Sequence, residues 1–216
     1  MIQIPEFKTI FRVALITGSI TGIVLNVIYI GSIIQSFSYF TVQSNLFLVA
    51  FFIYLLFSPR ENSRGLLVAK LAVTIAIMVT FTVYHLVLAP FLSGTEYDPP
   101  FLNSFLAHTF SPLMALADFL LFDRKGLLRY RDAFMGLTLP VFYFLYAQFY
   151  ALFGGTFAFS GATSRYAYFF MNPDSVGWTG VMVYTLAISA FIYGFGILYV
   201  FVDRFRRPRK DQKENV

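Results

Sequence analysis

Thr41 and His108 are the residues of this chain whose types suit acyl-transfer chemistry. A threonine hydroxyl becomes a competent nucleophile when a base takes its proton, and imidazole, with an ordinary pKa near 6.5, is the usual base. The chain holds only two histidines, His85 and His108, and Thr41 opens its densest hydroxyl and amide cluster, with Gln43, Ser44 and Asn45 following. Ser44 or Asn45 would then help hold the oxyanion, with His85 and Ser111 as weaker substrate contacts. A plainer reading stands beside this one: Thr41 caps a helix start, and His108 hydrogen-bonds neighbouring helices. Cysteine is absent, which excludes disulfides, thiolate catalysis and sulfur-ligated metals. Two histidines without a third ligand make an incomplete zinc site, so no metal and no cofactor is expected.

Those residues must be held in an apolar scaffold. The 216 residues are 58% hydrophobic and 12% charged, with a mean hydropathy of +0.69, outside the range of water-soluble globules. Runs of about 20 apolar residues, bounded by charges, prolines and glycines, predict an all-α polytopic membrane protein, because backbone amides in hydrocarbon must be satisfied within the segment. Six spans fit: about 10–29, 40–57, 66–89, 101–122, 133–153 and 178–202, forming one transmembrane domain over 1–205. Residues 206–216 form a basic tail.

Fifteen of the sixteen Lys and Arg residues fall at one set of span ends, leaving Arg165 on the other. The positive-inside rule then puts both termini in the cytoplasm of a multi-pass cell-membrane protein, which requires an even span count. This asymmetry accounts for the pI of 9.4, so no nucleic-acid partner is expected. Membrane lipids are the expected surroundings, with the tail against anionic headgroups. Span 1 lacks a cleavage signature and is expected to be retained. Gly18 and Gly22 form a small-xxx-small pair for close helix approach.

With this orientation, counting 1.5 Å per residue puts His108 about 10 Å below the outer end of span 4. Thr41, Ser44 and Asn45 start span 2 on the same side, and His85 approaches it from below. On a helical wheel Ser104, His108, Ser111, Ala115 and Asp118 share an inward stripe, while Phe105, Phe110, Leu113 and Leu120 project elsewhere. Thr41, Ser44, Asn45 and Leu48 share a face of span 2. Asp118, about 25 Å into span 4, is expected in a buried hydrogen bond or ion pair with a basic residue of the inner rim, with a proton relay as the lesser reading.

The aromatic segment 154–177 is expected either to fold over the outer mouth as a lid or to anchor at headgroup level. Tyr143, Tyr146 and Tyr150, with Gln148 nearby, read as helix packing, though they would also suit an amphiphile headgroup. Glu96 and Asp98 read as solvated. The two halves of the chain show no convincing internal repeat, which disfavours a carrier.

The stretches SYFTVQSNLFLVAFFIYLLF and FLNSFLAHTFSPLMALADFLLFD resemble the six-span androgen-induced protein family of membrane hydrolases, and more closely the bacterial Pr-six-Pr membrane proteins. The animal members are threonine hydrolases that cleave fatty-acid esters of hydroxy fatty acids. The resemblance implies that Thr41 matches their nucleophile and that His108, in a His-Thr step followed by Pro112, matches their histidine. The sequence lacks the His-rich stretch that follows in animal members. The resulting expectation is an intramembrane hydrolase of lipid or fatty-acid esters; the alternative is a non-enzymatic protein that binds or moves a small amphiphile.

Overall fold

A computed structural model describes residues 4–92, 99–159 and 162–205. Glu96, Asp98 and the tail 206–216 lie outside the described residues. The chain folds into six helices long and apolar enough to cross a membrane: Glu6–Ile30, Phe40–Phe57, Arg64–Leu88, Phe101–Phe122, Tyr130–Leu152 and Pro173–Phe205, here spans 1 to 6. Among the described residues the one departure from an all-helical plan is a two-stranded hairpin, β1 (Phe157–Phe159) antiparallel to β2 (Ala162–Ser164). It marks the hairpin face of the bundle. The opposite, termini face holds the start of span 1 and the end of span 6.

Spans 2 and 4 keep their expected limits, while the others run longer. Span 1 is helical from Ile4, because its charges are paired: Lys8 and Arg12 both reach Glu61, and Arg12 also grips Asp118. Span 5 opens with a 3₁₀ helix, Tyr130–Leu137, and becomes α-helical from Thr138. Span 6 starts at Pro173, but Gly177, at φ 67°, interrupts the helical geometry just before the expected start at Trp178. Large aromatics stand exposed at the span ends on both faces, among them Phe153 and Trp178 on one and Phe57 and Phe205 on the other. Exposed aromatics also run along the spans, Phe47, Phe142 and Phe191 among them, as expected of an exterior that faces hydrocarbon.

Span 3 is the hub. Every side chain from 70 to 80 is buried, as befits a helix that is apolar almost all round. On one side Leu71 and Ile75 join Phe119, Tyr199 and Val200; on the other Val73 and Ile77 join Leu15, Leu48 and Phe52. Spans 1 and 4 approach closely at the expected glycines: a Cβ on Gly22 would lie 3.3 Å from the Ala107 amide, and one on Gly18 would strike the Phe110 ring.

Asp118 takes the ion-pair reading. It receives Arg12 through Nε at 2.9 Å and Nη2 at 3.2 Å, and it also pairs with Lys70, which reaches on to Asp123. Lys8, Arg12 and Lys70 face Glu61, Asp118 and Asp123, so the cluster has as many positive as negative members. Arg12, Lys70 and Asp118 are almost wholly buried, a placement that only such mutual pairing makes tolerable.

Spans 3 and 4 are not continuous α-helices. Each contains one π-helical turn, Tyr84–Leu88 and Leu106–Phe110, closed by the amide of Ala89 to the Tyr84 carbonyl and of Ser111 to the Leu106 carbonyl. In both spans a proline, Pro90 or Pro112, comes immediately after the closing residue. Proline has no N–H, and its ring crowds the carbonyl four residues back, so the turn before it widens to a five-residue bond. Such turns re-aim side chains and often occur at functional sites.

Candidate functional site

The π turn of span 4 carries His108 into the bundle. Its Nδ1 lies 3.1 Å from the Ser104 carbonyl, and its Nε2 lies 3.3 Å from Oγ1 of Thr41 on span 2. A carbonyl oxygen only accepts, so Nδ1 carries the proton and Nε2 presents its lone pair to the Thr41 hydroxyl. The imidazole is held flat by Tyr84 of the facing π turn, with ring centroids 3.9 Å apart and planes 19° apart. Tyr168, from the segment that follows the hairpin, lines the same cavity as Thr41 and Phe40. Burial pushes the Tyr168 hydroxyl up to about 12, so it remains a protonated donor near neutral pH.

Thr41 does not cap span 2. The capping position is Tyr39, which supplies no side-chain bond, and Thr41 lies within the first turn, where helix amides have no partner four residues back. These amides carry the positive end of the helix dipole.

Thr41, His108, Thr80, Tyr84, Tyr143 and Tyr168 bring polar groups to the wall of a cavity of about 170 Å³, as do Thr185 and Ser189 of span 6. The rest of its wall is mainly apolar, with Val79, Val83, Phe144, Ile188 and Ile192 contributing. Phe170 and Met171 close it beside Tyr168, so the segment after the hairpin covers the hairpin face of the cavity.

The other expected contacts are engaged elsewhere. The Asn45 amide donates to the carbonyls of Thr41 at 2.8 Å and Ala107 at 3.2 Å, and the Ser44 hydroxyl sits 3.1 Å from the Thr41 carbonyl and 2.9 Å from the Thr80 hydroxyl. Both brace the turn that presents Thr41, and neither has a spare donor for an oxyanion. Ser111 donates to the Leu106 carbonyl across the π turn and accepts from Ser19, fastening span 4 to span 1. His85 is exposed, lies 2.9 Å from the Thr109 hydroxyl, and is not part of the cavity wall. Among the described residues no group of three or more His, Asp or Glu is placed to hold a metal ion.

The span 5 tyrosines act chiefly in packing: Tyr143 and Tyr146 donate to Ser38 and Tyr150 to the Thr156 carbonyl, while Gln148 donates to Met171. Tyr143 also reaches the cavity. Tyr84 and Tyr168 are the site residues that sequence reasoning missed. Pro90 and Pro112, each just past a π turn, were the available signal for the first of them.

No family model matches the chain, and no match is found among curated proteins or among solved structures. The geometry of the site therefore carries the functional reading.

Proposed function

We propose that this protein is an intramembrane hydrolase of lipid or fatty-acid esters, with Thr41 as nucleophile and His108 as general base and then acid. The observation that carries the reading is the Thr41–His108 contact of 3.3 Å, with the far nitrogen of the ring tied to Ser104. The sequence resemblance to membrane threonine hydrolases at these two residues supports it. Charge asymmetry supports a cell-membrane setting with the termini face in the cytoplasm and the site toward the outer leaflet.

In the reaction, the Thr41 oxygen bonds to the ester carbonyl carbon while its proton passes to Nε2 of His108. The tetrahedral intermediate collapses, the alcohol oxygen leaves with the proton from Nε2, and the acyl group remains on Thr41. A water, giving its proton to Nε2, then attacks the acyl carbon; collapse returns that proton to Thr41 and releases the acid. Tyr168 and the first-turn amides of span 2 are the donors assigned to the oxyanion, in place of Ser44 and Asn45.

The test is ester hydrolysis by the purified protein. Thr41→Ser keeps the hydroxyl and retains activity, Thr41→Val loses it at unchanged expression, and Tyr168→Phe lowers kcat by about a hundredfold, the usual effect of losing one oxyanion donor. Equal activity of Thr41→Val and wild type contradicts the reading. The second reading, binding of an amphiphile without turnover, is favoured by the predominance of apolar wall in the cavity.

A further inference from the structure

The cavity has a cover on the hairpin face and a mainly apolar wall, which raises the question of where a ligand enters. Spans 5 and 6 both border it and both pack on span 3, but their backbones seldom come close to each other along Thr138–Leu152, where the two helices share the core through side chains such as Phe144 and Ile192. They close together only toward the termini face, where a Cβ on Gly196 of span 6 would lie 2.9 Å from the Ala133 carbonyl and 3.1 Å from its methyl. Above that point the gap is bordered by Pro140 and Val141 on one helix and by Thr185 and Ser189 on the other. Val141 lines the cavity and is nevertheless 47% exposed, so the cavity wall and the outer, lipid-facing surface meet at this side chain.

We infer that the gap between spans 5 and 6 is a lateral slot that binds the hydrocarbon chain of a single-chain amphiphile, with its polar end beneath Tyr168 at Thr41 and His108. The lining sets the polarity of the ligand: spans 2 and 4 and the segment after the hairpin bring Thr41, His108 and Tyr168, whereas spans 5 and 6 bring Val141, Phe144, Ile188 and Ile192, with Thr185 and Ser189 as the polar exceptions. The size of the cavity, about 170 Å³ against the ~300–1,000 Å³ of pockets that enclose drug-sized ligands, fits one chain entering from the side. The cover formed by Tyr168, Phe170 and Met171 opposes entry from water, whereas the slot faces the phase in which such a ligand dissolves. The inference rests on the proposed reading for what happens at the polar end, but not for the slot itself.

The experiment reconstitutes the full chain in phosphatidylcholine vesicles with palmitic acid carrying a mid-chain diazirine, and maps the adducts after irradiation. Adducts concentrate on Val141, Phe144, Ile188 and Ser189, and Ser189→Trp reduces them by about tenfold, as expected of an obstruction in a packed site. Val141→Trp serves as an independent block if Ser189→Trp folds poorly, and Leu186→Trp, on the exposed face of the same helix, leaves labelling unchanged. Thr41→Val keeps the slot adducts while losing hydrolysis. Slot adducts in a protein that hydrolyses no ester would sink the hydrolase reading and leave the slot standing. Adducts spread evenly over Leu113, Leu186 and other exterior residues, or unaffected by both tryptophans, overturn the slot even if hydrolysis is found.

Discussion

Tyr84 lies flat against His108, its ring centroid 3.9 Å from that of the imidazole, although the two residues come from different helices. Each sits in the π turn that precedes a proline, so two local defects of helical geometry face one another at the site. The stack fixes the plane of the ring, and the Ser104 carbonyl fixes its rotation, which together aim Nε2 at Thr41.

Removing the stack should therefore loosen the imidazole without touching the nucleophile. Tyr84→Phe keeps a ring and is expected to hold kcat near the wild-type value. Tyr84→Ala is expected to lower it by about ten- to a hundredfold, the scale of a misplaced catalytic group. Rates of ester hydrolysis for the two variants decide this, and equal rates for both would remove Tyr84 from the account.

The charge cluster at the termini face makes a prediction about stability. Lys70→Met removes the ion-pair partner of Asp123 and leaves Asp118 with Arg12 alone, inside a buried environment. Breaking a buried pair in this way costs about 3–5 kcal/mol. Thermal unfolding in detergent should show a clear drop in Tm for Lys70→Met, partly restored by Lys70→Met with Asp123→Asn. A Tm equal to that of wild type would mean the cluster adds nothing to the fold.

Glu61, in the loop between spans 2 and 3, gives the pH dependence its sign. Burial pushes its carboxyl up, but Lys8 and Arg12 outweigh this and hold it below its ordinary value of 4.5. A carboxyl depressed in the folded state contributes stability above its unfolded pKa and loses it as pH falls through the folded one. Stability is thus expected to fall on acidification below about pH 4.5, and Glu61→Gln to flatten that part of the profile. Melting curves between pH 3 and 7 check this; an identical acid limb in the variant would contradict it.

Much of the scaffold was legible because the bilayer leaves few choices. Phe40–Phe57 and Phe101–Phe122 are bounded by the ends of their apolar runs, and the inward stripe through Ser104, Ser111, Ala115 and Asp118 is buried as its spacing requires. Asp118 could be assigned a basic partner, since an isolated carboxylate is intolerable there, but not Arg12, which is 106 residues away. Residue type and shared depth left the pairing of Thr41 and His108 beside a plainer cap-and-packing reading, and the resemblance singled it out; the structure puts the two side chains 3.3 Å apart. Tyr84 and Tyr168 did not stand out among 14 tyrosines and 28 phenylalanines, and the rarity of histidine drew attention to His85 instead. His85 is exposed because it follows Tyr84, about 100° round the helix from the face that Thr80, Val83, Tyr84 and Leu88 turn to the cavity.

The central claim is that Thr41 is an activated nucleophile. It is tested most directly by exposing the purified, detergent-solubilised protein to a fluorophosphonate probe and comparing wild type with Thr41→Val and His108→Ala. The account predicts labelling of the wild type that is lost in both variants. Absence of labelling in a well-folded wild type, or labelling that survives Thr41→Val, would contradict it.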